Sequence, residues 1–106
     1  MTSTETLLVL STCGQRGEAD ALAEALVSER LAACVNVVPG IHSVYEWQGR
    51  IERSEEVLLL IKTTRGKLAA LEEAIRARSS YELPEVLAVP VTGSEDYLRW
   101  VAEAVS

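Results

Sequence analysis

Between residues 32 and 47 the chain alternates apolar and polar side chains, AACVNVV and then IHSVYEW, broken only by Pro39-Gly40. A two-residue period of this kind predicts a strand with one face turned to a core. A second strand climbs from Ile51 into the unbroken run Val57, Leu58, Leu59, Leu60, Ile61, and Gln48-Gly49 supplies a tight turn between the two. The hairpin over residues 31–62 is too long for its chain. Sixteen extended residues span roughly 50 Å, whereas a compact body of this length has a radius of gyration of only ~13 Å. The tip must bend back at Pro39-Gly40 or leave the globule. Ile41, Tyr45 and Trp47 share one face of that arm, an apolar surface beside an open strand edge, so an oligomer is expected.

The remaining elements follow from period as well. Leu7 to Leu10 is a short continuous apolar run, which suits a strand covered on both faces. Residues 18–31 place Ala19, Leu22, Ala23, Leu26 and Arg30 or Leu31 at helical spacing, with Asp20, Glu24 and Ser28 opposite. A second helix is expected over residues 65–78, with Leu68, Leu71 and Ile75 facing inward and Thr63 or Thr64 as its N-cap. Val86 to Val89 reads as a fourth strand, confined to a short length or a sheet edge by Pro84 and Pro90. Ser94 caps a last helix whose buried stripe is Leu98, Val101 and Val105. The order βαββαβ with right-handed crossovers gives an α+β, ferredoxin-like fold: an antiparallel sheet with both crossover helices on one face, plus a C-terminal helix.

Composition narrows the function classes. One domain accommodates residues 1–106, and 48% hydrophobic residues exclude a disordered chain. The net charge of −6 with scattered Lys and Arg gives no footprint for nucleic acid or an anionic membrane. No run approaches the ~20 apolar residues of a membrane span, and the first residues lack the basic and apolar segments of a secretion signal. A cytoplasmic location is expected. Cys13 ends the first strand and Cys34 begins the second, a strand length apart, which predicts two free thiols rather than a disulfide.

The blocks LAACVNVVPGIHSVYEWQGRI, EVLLLIKTT, YELPEVLAVPV and DYLRW, in this order, resemble the CutA family of divalent-cation tolerance proteins. The resemblance implies a tight PII-like homotrimer whose long hairpins pair across subunits. It further implies a role in the response to metal ions, with copper or zinc as candidate ligands and no established catalytic reaction. Many members carry His-Pro before the Tyr-Glu pair, where this chain has Ser79-Ser80. Metal-binding members can place a cysteine at the position matching Ser11, and Cys13 lies two residues later on the same strand face. Without the histidine, copper lacks its most natural ligand. Cys13, Glu82 and Glu85 are then the candidate metal ligands.

Each remaining group has a bland alternative. His42 is the single histidine and is expected to be a surface or core residue, though a trimer would gather three copies about its axis. Cys34 fits a small buried hydrophobe, while Cys13, at a strand end, could be accessible and feel the positive end of the next helix. The loop Cys13-Gly14-Gln15-Arg16-Gly17 could cradle an anion, but it lacks phosphate-loop spacing and reads first as a simple turn. Lys62, Tyr81, Glu82, Trp47 and Trp100 are expected to line an intersubunit cleft. There Lys62 would pair with Glu82 or Glu85, either fixing the subunit boundary or leaving a carboxylate free for a cation. That cleft could equally take a small ligand or a protein partner, or the assembly could be a scaffold. No catalytic residues are identified, because no nucleophile and base recur at a usable spacing and no cofactor fingerprint is present.

Overall fold

The computed structural model describes residues 3–106. Its elements are β1 (Thr6–Cys13), α1 (Arg16–Ser28), β2 (Cys34–Trp47), β3 (Arg50–Thr64), α2 (Leu68–Arg78), β4 (Leu87–Pro90) and α3 (Glu95–Ala104), with a 3-10 turn over Arg65–Lys67 leading into α2. The sheet order is β2-β3-β1-β4 and every neighbouring pair is antiparallel. This is the expected ferredoxin-like α+β arrangement. Each parallel-running pair is separated by one strand, the slot that a right-handed crossover leaves open.

Alternation along the strands divides the sheet into two unequal faces. Leu7, Val9 and Cys13 of β1 and Val57, Leu59 and Ile61 of β3 pack against Ala19, Leu22 and Leu26 of α1 and Leu71 and Ile75 of α2. This is the main core, and a buried Leu or Ile in it is worth roughly 1.5–3 kcal/mol. On the opposite face α3 covers only one end, where Val101 and Val105 pack with Ala33. Leu87 and Val89 of β4 pair with Leu10 and Leu8 on that same face, and they remain 56% and 44% exposed.

The hairpin both bends and projects. Val38 pairs with Leu58 but Ile41 pairs with Glu56, so Pro39-Gly40 forms a bulge, with Gly40 at φ 79°. Beyond it the arm continues to Trp47 opposite Arg50, stretching the molecule to 44 × 24 × 23 Å. Gln48 and Gly49 both take positive φ, 53° and 80°, the two-residue turn whose twist suits a hairpin. The register sets Ile41, Tyr45 and Trp47 on one face, as the alternation predicts.

Three boundaries differ from expectation. α1 ends at Ser28, because Arg30 adopts φ 60° and the amides of Arg30 and Leu31 return to the carbonyls of Val27 and Leu26. Such a closure terminates a helix and normally uses glycine. Neither Thr63 nor Thr64 caps α2: the 3-10 turn intervenes, and the buried Thr63 hydroxyl donates to the Leu31 carbonyl at 2.7 Å. β4 lies one residue later than expected and, as its prolines require, forms a sheet edge. Ser94 does cap α3, accepting from the Tyr97 amide.

Candidate functional site

A cleft of about 960 Å³ lies between the hairpin arm and residues 80–87, the segment joining α2 to β4. Alternation in β3 directs Glu52 and Glu56 into it, and the bulge at Pro39-Gly40 restores the phase that turns Tyr45 and Trp47 toward the same side. Tyr81, Glu82 and Glu85 close the opposite wall. At its base the Tyr81 hydroxyl donates to Glu56 Oε2 at 2.6 Å, a charge-assisted bond to a carboxylate whose residue is only 8% exposed. Gly14 leaves room for this ring, since a β-carbon there would stand 3.3 Å from the Tyr81 hydroxyl oxygen.

Electrostatics in the cleft are one-sided. Among the described residues no Lys, Arg or His lines it. Burial and, next, the Glu56 charge push the Glu85 carboxyl above its ordinary value. Burial, the bond to Glu56 and its charge push the Tyr81 phenol upward as well. The cleft therefore gathers negative charge that a cation would relieve. Glu56 was missed in the sequence because it ends the charged run ERSEE; its signal was position, immediately before Val57 and in phase with Leu58 and Leu60.

The sequence-expected metal ligands are not brought together. Glu82 is exposed and Glu85 half-buried, while Cys13 is 2% exposed and packed in the main core. Burial, then Glu18 and Glu56, push its thiol up to about 11, so it stays protonated at neutral pH instead of being activated by the helix end. Among the described residues no three His, Cys, Asp or Glu side chains are grouped to hold a metal ion. One subunit by itself does not fit a copper centre, since the soft ligand is a buried neutral thiol and the single histidine, exposed His42, stands on the arm opposite Glu55.

Within one subunit, the residues expected at an intersubunit cleft lie in two places. Trp47, Tyr81 and Glu82 line the cleft, but Lys62 does not reach it. Lys62 lies directly opposite Cys34 across the β2–β3 ladder and donates to Asn36 Oδ1 and, at 3.8 Å, to Cys34 Sγ, so the lysine–glutamate pair does not form within the subunit. Trp100 sits on α3 beside Tyr97, ring centroids 5.5 Å apart. The loop after β1 is a turn, as its spacing suggests: Gly14 and Arg16 border a hollow shared with Glu55 and Glu56, whose charges oppose an anion. Both cysteines are free.

Residues 7–104 match the family described as CutA1 divalent ion tolerance protein. The chain belongs to that family. It is 45% identical over 97 residues to the Divalent-cation tolerance protein CutA of Thermus thermophilus, covering 91% of this chain and 94% of that one. It is 47% identical over 96 residues to Protein CutA, chloroplastic, of Arabidopsis thaliana, covering 90% of this chain and 53% of the plant protein. The chain thus spans about half the length of that relative. The solved divalent cation tolerance protein from Thermus thermophilus superposes with a TM-score of 0.93 at 43% identity, over 95% of this chain and 99% of that one. The CutA crystal structure from Xylella fastidiosa gives 0.94 at 41% identity, over 96% and 99%. This CutA-family chain shares with them the whole fold, long hairpin arm included, and among its described residues no helix is long and apolar enough to cross a membrane.

Proposed function

We propose that this CutA-family chain works as a cytoplasmic homotrimer in the response to divalent metal ions, without turning over a substrate. The acidic cleft is where cation charge acts in this scheme. Its support is one observation: burial and the neighbouring Glu56 charge oppose ionisation of Glu85 in a hollow that no basic residue lines among the described residues. Carboxylate and phenol oxygens suit a hard cation, which keeps water in its shell and so needs fewer protein ligands than copper. Isothermal titration of the purified protein with magnesium, zinc and copper salts tests it. Binding weakened by Glu56→Gln and Glu85→Gln is expected, and the absence of heat at millimolar metal removes the direct-binding version.

The size of the cleft favours a second reading, a PII-like sensor. A volume of about 960 Å³ lies within the ~300–1,000 Å³ range of small-molecule sites, and Tyr45, Trp47 and Tyr81 offer aromatic surface. Thermal-shift screening with nucleotides and small metabolites separates the two, because a ligand at a hundredfold its Kd stabilises by ~2.7 kcal/mol. Silence in every screen, from a stable assembly, leaves the scaffold role.

A further inference from the structure

Cys34 and Lys62 are direct cross-strand partners, and β2 is held in this register at its start by the Ala33 amide donating to the Lys62 carbonyl at 2.8 Å. Opposed residues hold their β-carbons ≈ 5 Å apart on one face of a sheet. A lysine stem in that place can run out into water, yet here it folds back across β2, and its Nζ reaches both Asn36 Oδ1 and Cys34 Sγ. Among the described residues no carboxylate forms an ion pair with Lys62, so no salt bridge within the subunit accounts for this position. Cys34 is half-buried. Tyr97 of α3 lies near it: burial and, next, the Cys34 thiol push the Tyr97 phenol above its ordinary value. Trp100 lies alongside Tyr97. A thiol, an amine and an amide are thus held together on the face away from the main core, near Tyr97 of α3.

We propose that Cys34 and Lys62 form an oxidant-responsive site, in which a peroxide converts the pair into a covalent sulfur–nitrogen cross-link between β2 and β3. In the first step the Cys34 sulfur gives two electrons to the peroxide, whose O–O bond breaks. A sulfenic acid forms and one water leaves. In the second step the Lys62 amine, its extra proton lost to solvent, attacks that sulfur. The N–S bond forms, the S–O bond breaks, and the departing hydroxyl takes the proton shed by nitrogen as a second water. The product is lighter than the reduced chain by two hydrogens, and excess thiol reverses it. Cys13 supplies an internal control, because it is the other thiol, buried on the opposite face and with no lysine hydrogen-bonded to it among the described residues.

The test is treatment of the reduced, full-length protein with hydrogen peroxide, followed by denaturation, alkylation, proteolysis and mass spectrometry. The expected result is a peptide pair joined through Cys34 and Lys62, lighter by two hydrogens, at monomer mass on a denaturing gel and released by dithiothreitol, while Cys13 is recovered alkylated. The joined species is lost in Lys62→Arg, which keeps the positive charge but not the primary amine, and in Cys34→Ser. Circular dichroism confirms that both variants fold, and Lys62→Arg decides alone if Cys34→Ser does not. Recovery of Cys34 in the wild-type protein as a thiol, a sulfinic acid or a sulfonic acid beside an unmodified Lys62 overturns the assignment. So does a cross-link that survives in Lys62→Arg.

Discussion

Ser11 points into the main core from β1 and is 1% exposed, and its Oγ finds no hydrogen-bond partner among the described residues. A buried hydroxyl left unpaired costs ≈ 1–3 kcal/mol of desolvation, and removing it leaves only a small void. Ser11→Ala is therefore expected to raise stability by about 1 kcal/mol, read as a higher midpoint in urea with an unchanged slope. Glu85 carries a different stored cost. Burial and the Glu56 charge raise its carboxyl above the ordinary value of 4.5, so the folded state prefers the protonated acid. Stability from this group is complete below that unfolded-state value and is lost as pH rises through the higher folded-state value. Glu85→Gln is then expected to raise Tm at neutral pH and to leave it nearly unchanged near pH 4, while weakening any cation binding in the cleft. A variant less stable than wild type at neutral pH shows instead that the carboxylate is paired in the assembly.

At the scale of elements, two left-handed residues other than glycine, Arg30 and Gln48, show where local chemistry and backbone conformation disagree. Arg30 closes α1 at φ 60° and is exposed, making no ion pair among the described residues. Glycine holds this conformation without the ≈ 1–2 kcal/mol that a β-carbon incurs there. Arg30→Gly is expected to stabilise by about 0.5–1 kcal/mol, the balance left after glycine's greater freedom in the unfolded chain. Lower stability would mean that the arginine side chain makes a contact in the assembly. These sites also mark the limits of what the sequence reveals. The stripes Leu22 and Leu26, Leu71 and Ile75, and Val101 and Val105 were legible, because burying an apolar face requires the helical period itself. The end of α1 was not, since Leu31 continues the period while the backbone has already turned. The α2 cap failed for a related reason: Thr63 spends its hydroxyl on a carbonyl from another segment, a partner that spacing does not disclose. The candidate site divided along the same line. Tyr81, Glu82 and Glu85 are neighbours in sequence and share a cleft, whereas Lys62 follows the β-ladder to Cys34 and leaves that group.

For the whole molecule, the unequal covering of the sheet is the dominant fact. Two helices bury one face, while on the other α3 shields a single end, and Val38, Tyr45, Trp47, Leu87 and Val89 are all at least 36% exposed. Both outer strands, β2 and β4, also offer unpaired backbone edges in the isolated subunit. A free monomer with a projecting arm, an apolar sheet face and two open edges would be prone to uncontrolled pairing. Closed association of identical copies covers the face and the edges together, and a rotational arrangement that closes does so without leaving an end. The expected light-scattering mass is three times the 11.5 kDa chain. Val89 discriminates between assembly and fold because it sits on the edge strand, 44% exposed and outside both core clusters. Val89→Glu is expected to preserve the circular dichroism spectrum of the subunit while lowering the mass, since each buried valine contributes ≈ 1.5–3 kcal/mol and an unpaired carboxylate in the same place opposes association. Its Tm should then depend on protein concentration more steeply than that of the wild type, as for any fold whose stability is tied to partner subunits. A wild-type mass equal to one chain at micromolar concentration, or a Val89→Glu protein that assembles unchanged, would show that this face is not where the copies meet.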